Sequence, residues 1–74
     1  MNTSMPLAMA AEGAECMVQE VRGSNPISTR LREMGFVNDA RVTVLKADGK
    51  GLIVGVNGSR LALSRGVASQ IMVC

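Results

Sequence analysis

The stretch Leu52-Ile53-Val54-Gly55-Val56-Asn57-Gly58-Ser59-Arg60-Leu61-Ala62-Leu63-Ser64 decides the fold of this chain. Two runs of β-forming residues flank Asn57-Gly58, the strongest short hairpin signal available to a sequence. A two-residue type I′ loop needs positive φ at both positions, which Asn and Gly tolerate. Val56 and Ser59 then flank the loop, and Leu61 and Leu63 point inward on the returning strand. Arg65-Gly66-Val67-Ala68 interrupts the β pattern and reads as one tight helical turn. Gln70 to Cys74 resumes it, with Ile71 and Val73 alternating inward.

Working back from the hairpin, Arg41 to Lys46 is a strand with Val42 and Val44 on one face. The two-glycine loop Asp48-Gly49-Lys50-Gly51 joins it to Leu52. Asn38-Asp39 is a turn. Before it lies a short helix specified at both ends by local chemistry. Gly23-Ser24-Asn25-Pro26 leads in, Asn25 is the N-cap, and Pro26 takes the first helical position, where its missing N–H costs nothing. Ile27, Leu31 and Met34 share one face at spacings of four and three. Gly35 ends the helix at C′, so that Phe36 at C″ meets Leu31 at C3.

Residues 14–22 read as the first strand. Val18 and Val21 are three apart, so a bulge between them is needed to put both inside, with Cys16 on the face of Val18. Pro6 to Ala10 makes a helical turn that lays Leu7 on the domain, Gly13 ends it, and residues 1–5 are a frayed start. The order is strand, short helix, three meandering strands, one turn, last strand. Five short strands left as an open sheet would expose an apolar face and two edges, whereas curling them shut buries both. The expected fold is therefore mainly β: a small five-stranded barrel, residues 1–74 forming one domain. Its first and last strands become antiparallel neighbours, which brings Cys16 towards Cys74.

Composition excludes several functions. The chain has 74 residues, 47% of them hydrophobic and almost all aliphatic, with Phe36 the one aromatic. It lacks His, the commonest general base and metal ligand, and it lacks the Trp and Tyr on which single-stranded bases or proline-rich peptides stack. Ser64, Ser69 and Cys16 have no His to activate them, so no nucleophile is read and the chain is not an enzyme. Asp48-Gly49-Lys50-Gly51 lacks the spacing of a phosphate loop, and no helix follows it. Glu12, Glu15, Glu20, Glu33, Asp39 and Asp48 stand singly, unlike a ferrous site of clustered His and carboxylates. No metal or other cofactor is expected. The two cysteines are too few for a disulfide framework and too far apart in sequence for a zinc site. They read as reduced thiols of a cytoplasmic protein. No segment offers the roughly 20 apolar residues of a membrane span. The start carries Ala8-Met9-Ala10 but no positive region before it, and Glu15 precedes Cys16, so neither a signal peptide nor a lipoprotein site is read.

The residues also carry a resemblance. Leu31-x-x-Met34-Gly35-Phe36, then Val42-x-Val44-Leu45, then Val56-Asn57-Gly58-x-x-Leu61-Ala62-Leu63, then Ala68-x-x-Ile71-x-Val73 is similar to the FeoA family of ferrous iron transport proteins. Gly13 and Val18 fit the family's opening strand, and Arg30-Leu31 fits its helix. The resemblance runs from about Leu7 to Val73. One departure is visible: similar proteins usually carry Pro-Gly where this chain has Asn38-Asp39. The resemblance implies an SH3-like barrel, in which a one-turn helix precedes the last strand. It implies a cytoplasmic accessory protein that binds and modulates FeoB, the membrane permease with a GTP-binding domain. The family is associated with transition metal ions. For this chain the expected link to iron runs through that partner. The same module occurs as a C-terminal domain of iron-dependent repressors.

If Val42 and Val44 point inward, Leu45 sits near the rim and Ile53 faces the side opposite Leu52 and Val54. The expected partner surface is an aliphatic patch at Leu45 and Ile53 bordered by Arg30 and Lys46, with Met34 nearby. Alternatively, these residues form a second small cluster under the helix. Two other functions remain open on the residues. The net charge of +2 on a barrel scaffold allows a nucleic-acid binder, although the eight basic residues form no block. A stand-alone version of a repressor's dimerisation or peptide-binding domain is the other.

Overall fold

The computed structural model describes residues 4–23 and 25–74. Met5–Pro6 forms β1, Leu7–Met9 a 3₁₀ turn, Glu15–Val21 β2, Pro26–Glu33 α1, Arg41–Ala47 β3, Gly51–Val56 β4, Ser59–Ser64 β5, Arg65–Ala68 α2 and Ile71–Val73 β6. The strands join in the order β1-β6-β2-β3-β4-β5, every pair antiparallel.

The local signals act as read. Asn57 and Gly58 have φ of 52° and 78°, and Val56 pairs with Ser59 across them. The Asn25 side chain accepts from the Ser28 N–H at 2.9 Å, with Pro26 at the first helical position. At the other end Gly35 has φ of 114°. Its N–H donates to Arg32 O and that of Phe36 to Leu31 O, both at 3.1 Å, the paired bonds of a Schellman cap. Arg32 then fastens the helix to β2, its Nη2 donating to the Val21 and Gly23 carbonyls at 2.9 and 3.2 Å. The register of β2 against β6 slips between Val18 and Glu20, so Val18 and Val21 both reach the interior, and Cys16 is buried with them.

β2 is the strand that bends the sheet. Its first half pairs with β3 and its second half with β6, so the same strand belongs to two layers that face each other across the core. Between them lie Leu7, Val18, Leu31, Phe36, Val42, Val44, Val54, Ile71 and Val73, each at most 2% exposed. Full burial of each large side chain contributes about 2 kcal/mol, without which a chain of this length would not hold together.

Four expectations need correction. Among the described residues there are six strands, because Met5 and Pro6 pair with Val73 and Met72. Of the start expected to fray, Met5 is thus ordered and residues 1–3 lie outside the described residues, as does Ser24 of the turn before the helix. Secondly, the ladder does not close. β1 and β5 remain edges, and the gap is plugged by the 3₁₀ turn and α2, which pack on each other, on β6 and on β4 and β5. Arg65 ties this plug, donating from Nη1 to Ala8 O at 2.6 Å and from Nε to Asp48 O at 3.0 Å. Thirdly, Ile27 is exposed. Its neighbour Ser28 is buried instead, its hydroxyl satisfied by Asn25 O at 2.8 Å. Finally, Leu61 is only half-buried, in contrast to Leu63.

Candidate protein-interaction surface

The outer face of β3, β4 and β5 is built by one irregularity. β3 slips against β4 between Val44 and Lys46. Val44 pairs with Val54 on the inside, and Lys46 pairs with Ile53 on the outside. Leu45 is the extra residue, and a bulge turns it outward beside Lys46. Its side chain lies over Gly55, where a Cβ would stand 3.8 Å from Leu45 Cδ1. Leu45 is 43% exposed and Ile53 40%. Ala62, opposite Ile53 on β5, is exposed as well. The result is a low aliphatic strip of Leu45, Ile53 and Ala62.

Beside the strip lies a shallow depression of about 350 Å³ bordered by Lys46, Lys50, Ile53, Ala62 and Ser64. Asp48 also borders it, but its carboxylate is turned back on the chain, accepting the N–H of Lys50 at 2.8 Å and of Gly51 at 3.1 Å. Those two bonds, chiefly that from Lys50, hold the Asp48 carboxyl below its ordinary pKa, with Lys46 and Arg65 adding a smaller pull. Glu12, at the same end of β3, accepts from the Ala47 N–H at 3.0 Å. Among the described residues the ion pairs are Arg22–Glu20 and Arg41–Glu15, both on other parts of the surface.

The structure therefore brings together Leu45, Lys46 and Ile53 of the expected patch. Arg30 and Met34 are elsewhere, the first on α1 and the second at its C-cap. Arg30 lies beside Pro26, Ile27, Thr29 and Glu33, while Met34 is half-buried against the core. Neither is a border of the strip. Lys50, Ala62 and the other outward groups of β5 were missed by sequence reasoning, since nothing in a hairpin pattern says which strand will be left at an edge.

Cys74 meets β2, exchanging two backbone bonds with Met17 at 3.0 Å each. Both thiols are free, Cys16 buried and Cys74 exposed. Burial first, and then the Cys74 thiol, push the Cys16 pKa above the ordinary thiol value. Among the described residues, no three Cys, Asp or Glu side chains converge as a bound metal ion would require. No helix among them is long and apolar enough to cross a membrane.

Comparison with known proteins fits this architecture. The Fe(2+) transport protein A of Methanocaldococcus jannaschii is 34% identical over 68 residues, covering 92% of this chain and 83% of that one. FeoA of Stenotrophomonas maltophilia, solved in complex with zinc and described as a prokaryotic SH3 domain protein, superposes with a TM-score of 0.86. It is 30% identical, over 95% of this chain and 89% of that one. A manganese-dependent transcriptional repressor shares the fold, with a TM-score of 0.84 at 19% identity over 95% of this chain and 40% of its own. The curled, bulged sheet with its one-turn plug is thus an SH3-like barrel. Residues 5–74 match the model of the FeoA domain, and the chain belongs to the FeoA family.

Proposed function

We propose that the protein is a non-catalytic, cytoplasmic accessory protein of ferrous iron uptake that binds the cytoplasmic side of a FeoB-type permease and modulates it. Membership of the FeoA family carries this reading, because that family is linked to ferrous iron transport. The chemistry agrees. The chain holds no His, and its conspicuous outer feature is an aliphatic strip edged by lysines, the make-up of a small protein-binding face. The docking face is centred on Leu45, Lys46 and Ile53. Arg30 and Met34 enter only as a second point of contact, on α1 and at its C-cap.

The test is binding of this protein to the permease's isolated GTP-binding domain, with and without GTP. A dissociation constant in the micromolar range or tighter is expected. Leu45→Asp with Ile53→Asp should weaken it at least about tenfold, since a carboxylate at each position must be desolvated in the contact. Absence of binding under both nucleotide conditions would refute the reading. Unchanged binding by the double variant would move the site away from β3 and β4.

A further inference from the structure

We propose that the outer edge of β5 takes an extended, acidic segment of a partner protein as an added antiparallel or parallel strand. The inference begins with hydrogen-bond parity. Val56 and Ser59 flank a two-residue loop, so they exchange both backbone bonds. Alternation then makes Leu61 and Leu63 the next residues bonded to β4. Arg60 and Ala62 therefore turn their N–H and C=O groups away from β4. Among the described residues no backbone or side-chain partner meets them.

The two edges of this sheet are protected very differently. β1 has two residues, and one is Pro6, which has no N–H to offer. β5 has six residues in unbroken register with β4, no bulge and no proline. An edge of that kind is a template for another strand. The side chains beside it suit an incoming strand. Arg60 and Ala62 stand on the exposed face, and Ile53 and Gly55 lie next to them on β4. Small and aliphatic groups let a second backbone approach and give it apolar surface to cover.

Charge selects the occupant. Lys46 and Lys50 border the depression beside the strip and Arg60 stands on the edge strand itself, while Asp48 and Glu12 direct their carboxylates to backbone N–H groups. A second copy of this chain would bring the same three cations against their duplicates, and like charges there oppose pairing. A nucleic acid would meet the charge but not the edge, and the chain offers no Trp or Tyr, and only the buried Phe36, for its bases to stack on. An acidic extended peptide satisfies both the free backbone groups and the cations. This mode of binding does not require the partner to be the permease.

Selection from a phage-displayed library of random dodecapeptides on the intact protein tests it. The expected winners alternate apolar residues with Asp or Glu. Bound as synthetic peptides, they should shift the Arg60 and Ala62 amide signals in a ¹⁵N-labelled protein. Ala62→Pro removes an outward N–H and leaves the bonds to β4, so affinity should fall about tenfold. Should that variant unfold, N-methylating the peptide answers the same question. Methyl groups on alternate nitrogens of one parity should abolish binding, and those of the other parity should not. The proposal is overturned if no peptide is selected, if bound peptides shift α1 rather than β5, or if N-methylation has the same effect at both parities. It is equally overturned if β5 amides are already protected in a dimer of the free protein, or if nucleic acid binds this edge with steep salt dependence.

Discussion

Gly35 and Asn57 stand in contact: a Cβ added to Gly35 would lie 3.1 Å from the Cβ of Asn57. The end of α1 is thereby pressed against the tip of the β4–β5 hairpin, two turns that are 22 residues apart in sequence (57 − 35). Gly35 also has φ of 114°, where a side chain is strained. Gly35→Ala is expected to lower stability by about 1–3 kcal/mol, read as a reduced urea midpoint with an unchanged slope. An unchanged midpoint would mean that helix and hairpin do not share this contact in solution.

At Gly51 the obstacle is backbone and not strain. A Cβ there would run into the Leu63 carbonyl, on the strand that crosses beside it. The carbonyl cannot move without disturbing the β4–β5 ladder. Gly51→Ala should cost about 1–3 kcal/mol and lower the melting temperature by about 4–8 °C for each kcal/mol lost. Gly55→Ala is the control. Its Cβ would meet only Leu45 Cδ1, at an ordinary 3.8 Å, so its melting temperature should stay nearer the parent's.

Asp39 has a φ of 71°, in the left-handed region that glycine enters most easily. Glycine relieves that strain but loosens the unfolded chain, so the two effects partly cancel. Asp39→Gly should raise stability by no more than about 1 kcal/mol, whereas Asp39→Val should lower it by about 1–2 kcal/mol. Denaturant titration of the pair separates backbone strain from any loss of charge, since both variants remove the carboxylate.

Stability should depend on pH through Asp48. Its carboxyl is held below the ordinary value by the Lys50 and Gly51 N–H groups. A depressed folded pKa means that the contribution is present above about pH 4 and disappears as pH falls through the folded value. Asp48→Asn should therefore flatten the acid limb of a plot of melting temperature against pH, with little change between pH 6 and 8. A parent protein with no acid limb that Asp48→Asn alters would contradict the hydrogen-bonded turn.

What could be read in the sequence was local. Asn57-Gly58, the Asn25 cap and the Gly35–Phe36 stop each depend on residues within five positions of one another, and each formed as expected. The bulge at Val18–Glu20 was legible because two inward valines at a spacing of three leave no alternative in a strand. Illegible features were non-local. β1 exists only because Val73 and Met72 are there to receive it. Arg65 finds a carbonyl 57 residues away at Ala8. Ser28 took the buried position that periodicity gave to Ile27, since a hydroxyl bonded to Asn25 O can enter a core. The candidate surface was half legible: alternation put Ile53 outside, but nothing at Val44-Leu45-Lys46 announced a bulge. The clue was Gly55, a gap on the neighbouring strand that only the register could place under Leu45.

The shared strand β2 has a mechanical consequence. Its residues 15–17 pair with β3 and 18–21 with β6, and at the seam the two tasks overlap, since Met17 also bonds Cys74 and Val18 also bonds Asp39 and Ala40. Peeling either layer from the core means tearing a ribbon that is still sewn into its counterpart. Neither layer can loosen alone, and amide hydrogens on the two sides of that seam should surrender to deuterium at a common rate, as those of one cooperative body do.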